Sequence, residues 1–442
     1  MSENQWVPSR FNAISYTDDG EVILYNSYTG AIATFTKEEN VLSALRKEGV
    51  KGELPDHLQP LVESGFLVSS SVNEDTRAQY LHQSLHRTDL MHLVIMPTEA
   101  CNFRCTYCYQ TFPRGVMKPS VREGIKQLVE QKGRFLQNLT ISWFGGEPLL
   151  AFDVIEELSQ SILQSANRYG FDYSAEMATN GFGLSLERFR SLLSWNVRRY
   201  MITLDGPEEM HDSRRFLTGG GKTFQQIIQN LKDIQSLEED FEIYIRVNFD
   251  EDNLSGIPEF LAYLGELFAG DARFQTFCRP VGRWGGANDG DLPICDSRTA
   301  ESKIWEFTEQ GLTQGLSMSS MVESLLMPTG SVCYAAKPHS FVIGADGALY
   351  KCTCSFNEEF NHVGSISSDG SLEIDYDKLA LWVTSGEEKD EVCRSCFYRP
   401  ACQGNHCPLY RMRTGKRPCP YEKRKIKKVL NLIWKQYNQV GR

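Results

Sequence analysis

The 442-residue sequence has no uninterrupted apolar run of membrane-spanning length, and Met1 to Arg10 hold no basic stretch followed by an apolar one. A membrane span needs about 20 consecutive apolar residues, and a secretory signal needs a charged then an apolar segment. A cytoplasmic protein with no membrane partner is expected. Positive charge is scarce too: 46 Lys and Arg against 57 Asp and Glu leave a net −11. Nucleic-acid binding leaves a basic footprint, so nucleic acid is not expected as the main partner. Cysteine, by contrast, is plentiful. The thirteen cysteines are odd in number and mostly clustered, which in a reducing compartment reads as metal ligation rather than disulfides.

Three of them share one short loop, Cys101-Asn102-Phe103-Arg104-Cys105-Thr106-Tyr107-Cys108. A closed tetrahedral zinc site or a closed iron–sulfur cube needs four ligands, so three thiolates leave one metal position open. The loop reads as a reactive cluster, with a partial zinc site as the plain alternative.

Downstream the pattern alternates between strands and helices. Strands are expected at His92–Pro97, Thr140–Phe144, Tyr173–Thr179, Tyr200–Leu204, Glu242–Asn248 and Arg273–Cys278. Helices fall near Val121–Leu136, Phe152–Tyr169, Ser185–Trp195, Thr223–Leu237 and Ile257–Leu267, the first with an apolar stripe of Val121, Ile125, Leu128, Val129 and Leu136. Such a series suggests a partial (β/α)6 barrel, whose chemistry collects at the C-terminal strand ends. The unusual polar clusters all fall on that rim: the cysteine loop, Gly145-Gly146-Glu147-Pro148, Thr179-Asn180-Gly181, Thr203-Leu204-Asp205-Gly206 and Arg246-Val247-Asn248. Two glycines permit close backbone approach and the proline stiffens the exit, although Gly-Gly-Glu-Pro alone is equally a turn. His211-Asp212-x-Arg214 reads as an ion-paired loop or a site. The glycine-rich loop Pro280–Gly286 reads as a linker or a substrate contact.

Cys-x3-Cys-x2-Cys followed by the aromatic Tyr109 resembles the signature of the radical S-adenosylmethionine (SAM) enzymes. The resemblance implies that the open iron of a [4Fe–4S] cluster on Cys101, Cys105 and Cys108 takes the amino and carboxylate groups of SAM. It further implies SAM contacts from Tyr107, Gly145, Gly146, Glu147, Thr179, Asn180, Thr203 and Arg246. A reductant such as flavodoxin or ferredoxin is the expected electron source.

Residues 11–70 carry a β-hairpin, Glu21–Tyr25 and Ala31–Phe35 about Thr29-Gly30. Short helices near Glu38–Lys47 and Asp56–Ser64 and a returning strand Gly65–Val68 complete the unit. The unit resembles the winged-helix-like leader-binding domain of peptide maturases, which implies a precursor-peptide partner held by strand addition. A lid or docking domain without a ligand is the alternative. Residues Asn73 to Thr88 read as a linker or helical connection.

Cys333, Cys352, Cys393-x2-Cys396-x5-Cys402-x4-Cys407 and Cys419 resemble the SPASM domain, with one extra residue before Cys407. The resemblance implies two auxiliary [4Fe–4S] clusters, three with the first. Cys393, Cys396, Cys402 and Cys419 would hold the outer one, and Cys333, Cys352 and Cys407 the inner one. The inner cluster then has an open iron or borrows Cys354, Cys295 or Cys278. Anaerobic sulfatase-maturing enzymes share this architecture but carry an aspartate after the cysteine corresponding to Cys352, where this chain has Thr353. Asp346 is the nearby candidate acid or base. The final stripe, Ile426 to Tyr437, is expected to pack on the protein body, behind the basic run Lys423–Lys428.

The expected division is 1–88 for peptide recognition, 89–290 for the barrel, 291–330 as connection and 331–442 for the SPASM domain. The expected function is SAM cleavage to a 5′-deoxyadenosyl radical and cross-linking of a ribosomally made peptide, most plausibly as a cysteine thioether. Carbon–carbon or carbon–oxygen cross-linking and Ser or Cys oxidation are the enzymatic alternatives. A non-catalytic metal-binding scaffold for peptides is the alternative of another class.

Overall fold

The structure, a computed structural model, describes residues 5–36, 41–46, 48–318, 320–384 and 386–440. The chain divides into two compact units, Met1–Arg87 with Ser319–Pro338 and Ala380–Arg442, and Thr88–Met318 with His339–Leu379.

The second unit is built on one 10-stranded sheet. Its strands are β1 (Leu90–Ile95), β2 (Asn138–Trp143), β3 (Asp172–Thr179), β4 (Val197–Thr203), β5 (Glu242–Phe249), β6 (Phe274–Pro280), β7 (Ser340–Ile343), β8 (Ala348–Tyr350), β9 (His362–Ile366) and β10 (Leu372–Ile374). Their order is β6-β5-β4-β3-β2-β1-β7-β8-β9-β10. Pairing is parallel from β6 through β1 to β7 and antiparallel from β7 to β10. The helices α1 (Pro119–Lys132), α2 (Phe152–Tyr169), α3 (Leu186–Ser194), α4 (Phe224–Gln235) and α5 (Ile257–Phe268) alternate with β1 to β6. All six strands and five helices lie where the alternation places them, to within a few residues.

Burial explains the alternation. A parallel sheet covered on both faces reads as continuously apolar. Here β2 and β3 alternate buried with half-buried residues. Leu139, Ile141 and Trp143 are buried, as are Val154, Leu158 and Ile162 on the stripe of α2. The other face is polar: His92 Nε2 lies 2.8 Å from Ser142 Oγ, which donates to Glu176 Oε1 at 2.5 Å. α2 ends where Gly170 takes a left-handed turn at φ 77°, which closes the helix and releases the chain toward β3.

Strands β7 to β10 revise the expected division. The segment 331–442 is not one body, since 339–379 extends the barrel sheet and 380–442 joins the other unit. The connection 291–330 is likewise split, with helix Ser297–Thr313 in the barrel unit and Ser320–Leu326 in the other.

The first unit contains the expected hairpin, Val22–Asn26 against Ile32–Phe35, extended by Asn12–Tyr16 into a three-stranded sheet. A second small sheet pairs Gln5–Pro8 with Val50–Lys51 and Leu67–Ser69. Of the helix expected at Glu38–Lys47, Val41–Ala44 is helical, while 37–40 and 47 lie outside the described residues. Of the two readings of Asn73 to Thr88, linker or helical connection, the structure has the helix, Glu74–Gln83. The last helix, Ile426–Val440, buries Val429, Leu430, Leu432 and Ile433, and Ser15 Oγ donates to Lys427 O at 3.0 Å. No helix among the described residues is long and apolar enough to cross a membrane.

Candidate functional site

The cysteine loop leaves β1 and is held by backbone pairing. Phe103–Cys105 forms a short antiparallel ladder with Arg215–Leu217, placing Arg215 opposite Cys105. Thr106 N–H donates to Arg214 O at 2.9 Å and Thr218 N–H to Asn102 O at 2.7 Å, so the loop is stitched at both ends. Beneath it, helix Glu208–Arg214 buries His211 and Arg214, with two bonds from Arg214 to Asp250 at 3.0 and 2.7 Å. Burial, aided by Arg215 and Arg214, drives the His211 imidazole well below its ordinary value, so it is neutral and accepts from Asp205 N–H. The His-Asp-x-Arg segment is thus a buried brace.

The loop opens on a cavity of about 230 Å³ lined by Cys101, Cys105, Tyr107, Cys108, Gly145, Gly146, Thr179, Asn180, Thr203 and Arg246. Each of these was expected at the site from the sequence, and the fold brings them together. Arg215, Asn248, Phe112 and Trp284 join them. Tyr107 Oη accepts from Arg215 Nη1 at 2.9 Å and Asn248 Nδ2 at 3.0 Å, and Arg246 Nε donates to Asn248 Oδ1 at 2.7 Å. One polar chain therefore joins two arginines to the ring within the cysteine motif.

Two expected residues have different roles. Glu147 is 1% exposed and does not line the cavity. Its carboxylate accepts from Thr179 Oγ1 at 2.7 Å, Asn180 N at 2.7 Å and Leu149 N at 3.0 Å, tying the ends of β2 and β3 together. Asn180 Nδ2 passes the connection on to Asn102 Oδ1 of the cysteine loop at 2.8 Å. Burial raises the Glu147 carboxyl despite these donors. Asp346, the candidate acid or base, also lies off the cavity wall and is ion-paired to Arg114 at 2.8 Å.

The glycines at β2 serve the chain itself. A Cβ on Gly145, whose φ is 135°, would sit 2.2 Å from Thr98 O; one on Gly146 would sit 2.3 Å from Ala100 O and 2.5 Å from Glu99 O. The strand exit and the cysteine loop are packed backbone to backbone, which only glycine allows.

Burial pushes the thiol of Cys101 up to about 12 and that of Cys105 up to about 11, the latter against the nearby Arg215 charge. Such thiols ionise when a metal binds them. Among the described residues no group of three or more His, Cys, Asp or Glu converges on a single metal ion. Three free, partly buried cysteines on the wall of a roomy cavity fit an iron–sulfur cluster with space beside it.

In the first unit Cys393, Cys396, Cys402 and Cys419 line one cavity of about 30 Å³, the set expected for the outer cluster. Arg411 Nη2 lies 3.6 Å from Cys393 Sγ and Lys423 Nζ 3.8 Å from Cys419 Sγ. Cys333 and Cys407 belong to this unit, while Cys352 and Cys354 belong to the barrel unit. There Asn361, fully buried, accepts from Lys351 N and Cys352 N and donates to Cys352 O and Ser355 O, clamping the Cys352 turn. Cys354 Sγ lies 3.9 Å from the hydroxyl of Tyr109, a residue of the cavity wall. Hydrogen bonding to Cys352, with help from Tyr109, draws the Cys354 thiol below its ordinary value. Cys278 and Cys295 are buried away from both cysteine cavities.

Comparison with known proteins agrees with this geometry. The radical SAM superfamily matches residues 95–264, from the end of β1 into α5. A cysteine-type anaerobic sulfatase-maturating enzyme of Clostridium novyi (strain NT) is 23% identical over 337 residues, 71% of this chain and 87% of its own. The radical SAM cyclopropyl synthase TigE of Paramaledivibacter caminithermalis is 22% identical over 252 residues, 49% of this chain and 51% of its own. The solved structure of native anSMEcpe with bound AdoMet has a TM-score of 0.59 at 18% identity, covering 80% of this chain and 99% of its own, a likeness of fold. The chain carries a radical SAM domain, and its open parallel barrel is the radical SAM fold.

Proposed function

We propose that this radical SAM enzyme takes hydrogen from a side chain of a ribosomally made peptide and installs a cross-link in it, a thioether from cysteine sulfur to carbon. The observation that carries the radical part is the cavity of about 230 Å³ with three cysteines, and no fourth, on its described wall. Cys101, Cys105 and Cys108 would hold the cluster, and Gly145, Gly146, Tyr107, Thr179, Asn180 and Thr203 on the same wall would hold SAM. Arg246 and the newly found Arg215 are the cations available to an anionic group, and Glu147 supports the wall from behind. When bound, cluster and SAM supply a 5′-deoxyadenosyl radical that removes hydrogen from an unactivated carbon.

The residues of this chain orient and shield. The Tyr107–Asn248–Arg246 chain fixes the polar wall, and Tyr109, Phe112 and Trp284 form an aromatic rim. Aromatic rings exclude water, which otherwise quenches reactive intermediates. Cys393, Cys396, Cys402 and Cys419, which line one cavity, would hold an auxiliary cluster. Residues 1–88 recognise the leader of the peptide, and the enzyme works in the cytoplasm with a flavodoxin or ferredoxin as reductant, without nucleic acid.

A second reading is oxidation of a cysteine or serine side chain in a protein substrate. It is favoured by the match to sulfatase-maturating enzymes along 71% of this chain. Mass spectrometry of a coexpressed candidate peptide separates the readings. A thioether removes one hydrogen from sulfur and one from carbon and protects the cysteine from alkylation. Oxidation in place leaves a carbonyl and no bridge. No 5′-deoxyadenosine under reducing, anaerobic conditions would remove both.

A further inference from the structure

The cavity at the barrel mouth carries positive charge with nothing of the chain's own to balance it. Arg215 and Arg246 line it, and among the described residues no Asp or Glu does. Arg246 is half-buried on β5, in register with Thr203 of β4, and its Nε donates to Asn248 Oδ1 at 2.7 Å. Neither of its Nη groups has a hydrogen-bond or ion-pair partner among the described residues. Arg215, 7% exposed, gives one hydrogen bond, from Nη1 to Tyr107 Oη, and its buried Nε gives none.

The neighbouring cavity, of about 780 Å³, is arranged the other way. Glu209, Asp252, Glu259 and Asp291 line it, and its Arg214 is held by Asp250 through two hydrogen bonds at 3.0 and 2.7 Å. A guanidinium fork matches the two oxygens of a carboxylate, and a cation drawn out of water needs such a partner. Two forks turned to a cavity without a carboxylate are therefore sites for anions that the chain does not supply.

SAM brings one carboxylate, and the wall offers two forks. Arg215 stands opposite Cys105 in the short ladder, at the cysteine end of the cavity. Arg246 ends the Arg215–Tyr107–Asn248–Arg246 chain and pairs with Phe277 of β6, the strand that leads into Val281, Gly282 and Trp284 of the same wall. A carboxylate held at a cluster on the cysteines meets Arg215 first. Arg246 is left over.

We infer that Arg246 receives a carboxylate of the peptide substrate, from an Asp or Glu side chain or from the C-terminus, at or next to the residue that gives up hydrogen. The inference rests on the function proposed above and names the substrate class of that same cavity. Two parallel hydrogen bonds from one guanidinium fix the orientation of that residue as well as its position. A peptide with Lys or Arg at that place meets two cations and no counter-charge, and is rejected.

The test uses the reconstituted full chain saturated with SAM and left unreduced, with four synthetic peptides as probes. The first pair is acetyl-Gly-Cys-Ala-Glu-Ala-amide and its Gln counterpart. The second is acetyl-Gly-Cys-Ala-Ala with a free and with an amidated C-terminus. Calorimetry is expected to show the acid of at least one pair binding about tenfold or more tightly than its amide, and that pair identifies the source of the carboxylate. Arg246→Gln is expected to remove the preference by more than it weakens SAM. Arg246→Lys keeps the charge without the fork and is expected to keep part of it. Lys132→Gln, exposed on α1, is expected to keep all of it. Arg215→Gln is expected to weaken SAM instead.

Equal binding of acid and amide in both pairs, or binding of none of the four, overturns the proposal. So does a preference that survives in Arg246→Gln, above all if SAM affinity falls tenfold there, which would give Arg246 to SAM. Binding is read without turnover. A wild-type enzyme that prefers the acid but forms no 5′-deoxyadenosine with dithionite therefore marks failure of the functional reading and not of the carboxylate site.

Discussion

The barrel-mouth site and the four-cysteine site are made of the same ligand and differ in nearly everything around it. The first has three cysteines on a cavity of about 230 Å³, walled by backbone-packed glycines and a Tyr–Asn–Arg chain. The second has four cysteines on a cavity of about 30 Å³, with no room for a nucleotide, and shares its wall with Arg399, Arg411, Arg417 and Lys423. Thiol count and free volume change together. Where a ligand is missing there is space for a second molecule, and where the set is complete there is none. On the function proposed above, the difference fits SAM chemistry at the first site and a closed cluster at the second.

Single-cysteine variants break the comparison most sharply. Cys105→Ala is expected to abolish 5′-deoxyadenosine formation while the outer cluster still loads. Cys396→Ala is expected to retain SAM cleavage by dithionite and lose peptide product. Iron analysis with a deoxyadenosine assay reads both, and identical outcomes would mean the sites do not differ as described. Next comes Gly146→Ala, whose Cβ meets backbone oxygens at 2.3 and 2.5 Å and must displace the cysteine loop. SAM affinity, by equilibrium binding, is expected to fall about tenfold or more, about 1.4 kcal/mol, with the EPR signal of the outer cluster unchanged.

Glu147→Gln removes a buried charge that accepts three hydrogen bonds and places an amide against donors. A loss of about 2–3 kcal/mol is expected in denaturant unfolding. The smallest effect concerns the unit of the outer site. His82 Nε2 pairs with Glu388 at 3.0 Å, and the bond to Glu388 raises the imidazole above its ordinary 6.5. That contribution is fully present below pH 6.5 and is lost as pH rises through the raised value. With Glu388 41% exposed it is worth less than about 1 kcal/mol. The Tm advantage of wild type over His82→Gln should therefore shrink as pH rises, while SAM binding at the barrel mouth is unaffected.

Much of the barrel was legible. β1 to β6 have a helix-covered face and a polar face, so their alternation is strong, and α2 and α4 present continuous apolar stripes. The rim residues followed because the strand ends were right. The pairing of Phe103–Cys105 with Arg215–Leu217 was not legible, because two three-residue strands more than a hundred positions apart leave no periodic trace. Arg215 was missed with it. The Asn361 clamp was equally silent, since a lone asparagine carries no signal until the turn it satisfies is folded. Gly145 and Gly146 were found as a place for a ligand to approach the backbone, and they line the cavity, but the sequence did not reveal that the carbonyls of 98–100 also press on them. The addition of β7 to β10 to the barrel sheet was hidden because the cysteine spacing suggested one continuous domain.

The most direct measurement is hyperfine EPR on anaerobically reconstituted, reduced protein, with SAM isotopically labelled at its carboxylate oxygens. A coupling between the label and a cluster that disappears in Cys105→Ala is predicted, together with release of 5′-deoxyadenosine. No coupling, and labelled SAM recovered intact from the reduced wild-type protein, would contradict the account.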